Sequence, residues 1–233
     1  GAIAKGSGMI HPNMDTMLCF ITTDAAIERS MLDRALRSCV NRTFNRVSVD
    51  GDTSTNDTAV ILASALAANP LIACENEDYQ QFVAMLYQVC EYLAKAIARD
   101  GEGATRLVTC TVEGAKDEMC AERLAKSVIS SSLTKAAMFG ADANWGRVIC
   151  AMGYSGEDFI PEQVAISFAS NEGEISVCEQ GKGLPFDEEL AKQILSQDEV
   201  EIRVSLSEGA GAATVWGCDL TYDYVKINGD YRS

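Results

Sequence analysis

Residues 5–23 read Lys5-Gly6-Ser7-Gly8-Met9-Ile10-His11-Pro12-Asn13-Met14-Asp15-Thr16-Met17-Leu18-Cys19-Phe20-Ile21-Thr22-Thr23. The first half is a Gly-rich loop with a Pro. The second, Met17 to Thr23, is a continuous apolar run of strand length closed by Asp24, and the helical pattern Ile27 to Val40 follows it. The stretch therefore reads as a buried strand feeding an amphipathic helix, with Thr16 at the lip of the strand. A hydroxyl in that place can act as a nucleophile. If the bond before Thr16 is cut, the new α-amino group, with a pKa near ~8, is a local general base for its Oγ. On residue types alone the plainer reading, an ordinary threonine at a strand start, weighs more.

Outward from this stretch, Val47 to Asp57 is rich in Asp, Thr, Ser and Gly and reads as a loop, with Asn56 or Asp57 capping an apolar helix through Ala67. A second helix is expected from Glu77 to Ala98. Asp100-Gly101-Glu102-Gly103 then breaks the pattern before a strand at Thr105 to Val112, and Asp117 to Met138 is helical again. This order layers helices on sheet. Beyond it the character changes: Arg147 to Met152, Val164 to Phe168, Glu174 to Cys178, Val200 to Leu206 and Ala213 to Cys218 all read as strands, and only Asp187 to Leu195 as a helix. The expected division is residues 1–100, holding Thr16, and a strand-rich lobe at 101–233.

The 233 residues carry 19 basic and 34 acidic side chains, a net charge of −15. That balance excludes a surface built to neutralise phosphates, whether of nucleic acid or of an anionic membrane. No apolar run approaches the ~18 to 20 residues of a spanning helix, so a cytoplasmic protein is expected. Nine cysteines show no zinc-knuckle spacing and sit mostly in apolar surroundings, such as Val108-Thr109-Cys110 and Val148-Ile149-Cys150. They are expected as buried, reduced thiols, with no metal site. His11 is the single histidine. Any catalysis is thereby turned away from histidine-based triads and toward Thr, Lys and carboxylates.

Several local patterns are set aside. Ser132-Leu133-Thr134-Lys135 has the spacing of penicillin-recognising enzymes without their other motifs, and is expected on a helix surface. Asp50-Gly51-Asp52 opens like a calcium loop, but Thr55 and Ile61 stand where Gly and Glu are required. Asp50 and Asp52 are taken as structural Asx-turn residues. Asn144-Trp145 reads as a packed loop.

Lys5 to Leu18 resembles the self-cleavage segment K-G-x-G-M-x-x-P-x-M-A-T-M-L of the ornithine acetyltransferases, or glutamate N-acetyltransferases, of arginine biosynthesis. The resemblance continues in Asn45 to Asp57, Arg99 to Thr105, Phe139 to Arg147 and Tyr224 to Ser233. It implies an α+β fold, a four-layer αββα sandwich of the N-terminal-nucleophile type with a smaller strand-rich C-terminal lobe. It implies self-cleavage between Asp15 and Thr16, and then transfer of acetyl from N2-acetyl-L-ornithine to L-glutamate through an acetyl-Thr16 ester. By family position Lys5, Thr16, Glu102, Asn228 and Ser233 meet the substrate. No cofactor is implied, with acetyl-CoA as a further acetyl donor. The implied partner is an upstream alpha chain of the same precursor, supplying an oxyanion hole worth ~3 to 4 kcal/mol, in an alpha2beta2 heterotetramer. The start Gly1-Ala2-Ile3, without Met, is expected to lie inside that precursor, and Ser233 to be its true end.

One residue departs from the family. Asp15 stands where the family has Ala, placing a carboxylate beside the scissile carbonyl; Asp-Thr is the cleavage pair of asparaginase-type N-terminal-nucleophile enzymes. The alternatives carried forward are an unprocessed, non-catalytic paralogue acting as a subunit or binding protein, and an amidase or aminopeptidase on the same fold.

Overall fold

In the computed structural model, which describes residues 1–11, 17–53 and 55–230, the strand expected after Thr16 is β2, the centre of a three-stranded sheet. Asp15, Thr16 and Ser233 lie outside the described residues. The chain divides into two compact units, Gly1–Ile97 and Ala98–Ser233.

The first unit runs β1 (Ala2–Lys5), β2 (Leu18–Thr23), α1 (Arg29–Arg42), a two-residue strand β3 (Val47–Ser48), β4 (Thr58–Ala63) and α2 (Glu77–Arg99), whose last two residues fall in the second unit. Antiparallel β1 matches Ile3 to Phe20 and Lys5 to Leu18; parallel β4 matches Phe20 to Val60. The helix expected after Asp57 is thus a strand. Thr58-Ala-Val-Ile-Leu-Ala is too short an apolar run to display a helical period, and a β2 strand beside it with open N–H and C=O groups decides the matter. The inner face of β2 buries Cys19 and Ile21. Helix α1 buries Met31, Ala35 and Cys39, spaced four apart along one stripe. Helix α2 starts at Asn76, whose side chain accepts from Tyr79 N–H at 2.9 Å, and it carries Glu77 and Asp78 in its first turn and Arg99 in its last, complementing the helix dipole. Cys39 Sγ donates to Val83 O at 3.7 Å, and the Arg42 guanidinium lies 5.2 Å from the Tyr87 ring centre.

The second unit contains β5 (Leu107–Ala115), α3 (Glu118–Ser130), α4 (Ser132–Phe139), α5 (Trp145–Gly153), β6 (Ala165–Ser170), β7 (Gly173–Glu179), β8 (Lys182–Gly183), α6 (Glu188–Leu195), β9 (Glu199–Ser205), β10 (Gly211–Cys218) and α7 (Tyr222–Asp230). Its strands lie in the order β10-β5-β9-β6-β7-β8, with β5 and β9 parallel and the other pairs antiparallel. Val108, Cys110 and Val112 of β5 and Val200, Ile202 and Val204 of β9 point to one face, into a core with Leu124 and Val128 of α3 and Ile194 of α6. Together the two units make an α+β protein.

Two further expectations change here. The single helix expected over 117–138 is two, because Ser131 is extended (φ −68, ψ 115) and its hydroxyl caps α4 by accepting from Thr134 N–H at 3.3 Å. The strand expected at Arg147 to Met152 is helix α5: Asn144 caps it by accepting from Arg147 N–H at 3.2 Å, and Val148, Ala151 and Met152 share its buried face. Helix α7 was not expected at all. None of its residues is buried, so it has no apolar period to read.

Candidate functional site

The residues flanking the proposed cut are held by the loop that joins α1 to β4. Lys5 ends β1 and is exposed. Beyond it the Asp50 carboxylate accepts Met9 N–H at 2.7 Å through Oδ2 and Ile10 N–H at 3.1 Å through Oδ1. Val49 N–H donates to Ile10 O at 2.6 Å, and the His11 Nδ1 to Ser48 Oγ distance is 3.0 Å. On the downstream side, Met17 is buried. Its N–H donates to Asp57 Oδ1, and its carbonyl accepts Thr58 N–H at 2.8 Å. A cavity of about 310 Å3 opens at this end of the sheet, lined among others by Met17, Arg37, Asn41, Asn45 and Asp57. Asp50 does form the expected Asx turn, accepting Asp52 N–H at 3.2 Å. No local pattern signals its grip on Met9 and Ile10, or the grip on Met17 of Asp57, which the sequence presents as a helix cap. A carboxylate just before a strand gives no signal of the distant backbone it binds.

In the second unit, Glu102 and Asn228 meet although 126 residues apart: Asn228 Nδ2 donates to Glu102 Oε2 at 2.8 Å and to Tyr224 O at 3.1 Å. Gly103 makes this possible. It sits at φ +69, and a Cβ there would come within 2.6 Å of Tyr224 N, so only glycine lets the turn lie against the start of α7. Thr221 Oγ1 donates to Gly103 O at 2.6 Å, and the Tyr222 ring packs edge-on to Phe139 with centres 5.7 Å apart. Asp219, its side chain fully buried, accepts Thr105 N–H at 2.8 Å and Arg106 N–H at 3.0 Å. Arg106 in turn donates to Met138 O and Phe139 O, both at 2.9 Å. The Glu102 turn, the end of β10 and the end of α4 are thus tied together. The sequence marked Glu102 and Asn228, while Asp219 and Arg106, which support them, carried no motif. Lys5 belongs to the first unit.

The residues set aside have these places. Ser132 is on the helix surface as expected, but Lys135 is not: it is 5% exposed. Its ammonium donates to Cys218 O and lies 3.4 Å from Cys218 Sγ. It has turned inward because a buried strand-end carbonyl needs a donor. Asn144 is the α5 cap and Trp145 packs half-buried on the core. All nine cysteines are thiols, seven buried, with Cys74 and Cys150 exposed. Cys150 departs from the expectation because helix α5 turns it away from the face that Val148 buries. Burial, and then the neighbouring thiols of Cys39 and Cys19, push Cys90 up to about 12. Among the described residues no three His, Cys, Asp or Glu side chains are grouped to hold a metal ion, and no helix is long and apolar enough to cross a membrane.

The family model described as "ArgJ family" matches residues 1–233. The chain is 56% identical over 232 residues to the arginine biosynthesis bifunctional protein ArgJ 1 of Clostridium acetobutylicum, covering 100% of this chain and 57% of that protein. It is 51% identical over 233 residues to the arginine biosynthesis bifunctional protein ArgJ of Geobacillus kaustophilus, covering 100% of this chain and 56% of the relative. The chain thus spans little more than half the length of these curated relatives. Among solved structures, the crystal structure of the arginine biosynthesis bifunctional protein ArgJ from Bacillus halodurans matches with a TM-score of 0.88 at 48% identity, over 93% of this chain and 100% of that one. On the match of its whole length to the family model, the chain belongs to the ArgJ family.

Proposed function

We propose that this chain is the downstream part of an acetyltransferase of arginine biosynthesis, which moves the acetyl group of N2-acetyl-L-ornithine to L-glutamate through Thr16. The family match over the entire chain carries the reading. In the first event the Thr16 hydroxyl attacks the carbonyl carbon of Asp15, the peptide nitrogen leaves as the new α-amino group, and water hydrolyses the resulting ester. In the second, Thr16 Oγ gives its proton to that amino group and attacks the acetyl carbonyl; ornithine leaves with its amine restored, and the α-amine of glutamate takes the acetyl from the ester. Both substrates carry an α-carboxylate and use one pocket in turn.

Lys5 is the cation proposed to meet that carboxylate. The Glu102 carboxylate suits the side-chain ammonium of ornithine, Asn228 orients it by the 2.8 Å hydrogen bond, and Ser233 is proposed as a further substrate-binding residue. An upstream chain of the same precursor supplies the oxyanion hole in an alpha2beta2 assembly of the cytoplasm. Acetyl-CoA is proposed as a further acetyl donor.

The test uses the full-length precursor. Its intact mass should show a species beginning at Thr16, and N-acetylornithine should yield N-acetylglutamate only when glutamate is present. Acetate release indifferent to glutamate would point instead to a hydrolase. Thr16→Ala should abolish both cleavage and transfer, and N-acetylglutamate made by that variant refutes the mechanism.

A further inference from the structure

We propose that Asp50 and Asp57 are positioning residues for the scissile segment, Asp50 gripping its upstream arm at Met9 and Ile10 and Asp57 its downstream arm at Met17. The inference rests on the acetyltransferase reading, since it takes Asp15-Thr16 as the bond cut. The two carboxylates come from one short loop and bind backbone N–H groups on either side of that bond. A carboxylate accepts an N–H more strongly than a carbonyl does, which suits a clamp.

The downstream grip bears directly on the nucleophile. The Met17 nitrogen belongs to the planar peptide group whose carbonyl is that of Thr16. With Met17 N–H on Asp57 Oδ1 and Met17 O on Thr58 N–H, Met17, the residue joined to the nucleophile by that peptide bond, is held on both sides of its backbone. Aim at a carbonyl carbon within attack distance is where orientation contributes most to rate. The upstream grip holds a strained backbone: Met9 has φ +53, in the left-handed region that non-glycine residues avoid. Such a conformation persists only where its surroundings over-determine it. The bonds from Asp50 to Met9 and Ile10, the Ile10 O to Val49 N–H bond and the Thr53 Oγ1 to His11 O bond at 3.2 Å do so. After the cut, these bonds and the β1 pairing with β2 hold the upstream arm in place.

The experiment compares Asp57→Ala, Asp57→Asn and Asp50→Ala in the full-length precursor. Asp57→Ala should slow self-cleavage and lower kcat for N-acetylglutamate formation by at least about 10-fold, with KM changed less than about 3-fold. Asp57→Asn keeps a carbonyl oxygen for the Met17 N–H and should restore both to within about 5-fold of wild type. Asp50→Ala should slow self-cleavage about 10-fold. By hydrogen exchange, the Met17 amide should exchange faster in Asp57→Ala while Cys19 and Ile21 stay protected, which general unfolding does not produce. Wild-type kcat in Asp57→Ala, an Asn variant as impaired as the Ala variant, or a Met17 amide still protected would each overturn the proposal. A wild-type precursor that makes no N-acetylglutamate defeats the acetyltransferase reading instead, and Met17 exchange still reports on the clamp.

Discussion

The two sheets of this molecule treat their outer faces in opposite ways. In the first unit Ile3, Phe20 and Leu62, on neighbouring strands, are 68%, 48% and 61% exposed. In the second, the face opposite the core is polar and cross-linked. Thr111 Oγ1 donates to Glu201 at 3.0 Å, Arg203 bonds Glu201 at 2.9 Å and Glu174 at 2.7 Å, and Ser167 Oγ donates to Glu174 at 2.6 Å. An antiparallel-rich sheet with one buried and one polar face is at ease in water. An apolar sheet face is the kind of surface that associates. The unit that carries the proposed nucleophile is therefore the one whose sheet turns large apolar side chains outward.

The largest test of this contrast sets one phenylalanine against another. Phe168 is fully buried on the core side of β6, so Phe168→Ala should cost about 3–5 kcal/mol in denaturant unfolding, transfer and cavity contributions together. Phe20→Ser should cost under about 1 kcal/mol, because about half the ring is already in water in the fold described. A cost for Phe20→Ser approaching that of Phe168→Ala would mean that the face is covered in solution.

Next in size is a pH effect confined to the second unit. Lys116 at 2.7 Å and Arg123 at 2.6 Å both bond the Glu157 carboxylate. The Lys116 hydrogen bond first, and then that of Arg123, bring Glu157 down to about 2 from its ordinary value of 4.5. A depressed carboxylate contributes stability that is complete above its unfolded pKa and is lost as pH falls through the folded one. The wild type should therefore lose this contribution between about pH 4.5 and pH 2. Glu157→Gln should flatten that part of the stability curve and converge with wild type at the acid end. Unchanged slopes would show that the two cations do not hold Glu157 in solution.

How far the sequence announces all this depends on the range of the forces. Helices α1 and α2 were legible because apolar residues recur at helical spacing, and β2 because Met17 to Thr23 is apolar throughout. The run Thr58 to Ala63 was not, since a strand and a helix segment of that length look alike until a neighbour offers hydrogen bonds. At Val148 to Met152 a side-chain cap from Asn144 decided for helix, and α7 has no buried face from which a period could be read. Of the candidate site, the family motif marked Glu102 and Asn228. It could not disclose that Gly103 lets them touch, or that Asp57 reaches back to Met17. Those are pairings between distant parts of the chain, and no local pattern encodes them.

The smallest expected effect is the most pointed for the comparison of the two faces. Arg203 bonds Glu174 and Glu201, yet its side chain is 46% exposed, as is that of Glu174. Water screens such a cluster and its long side chains lose rotamer freedom, so Arg203→Ala should cost roughly 0.2–1 kcal/mol. The difference should shrink when salt rises from 0.05 to 0.5 M, because exposed pairs are screened over a few ångströms. A loss above about 2 kcal/mol, insensitive to salt, would place the cluster in a covered, low-dielectric setting. With the small value, the cluster matters for what it prevents: it keeps this face polar, where the corresponding face of the other sheet offers Ile3, Phe20 and Leu62 to whatever comes against it.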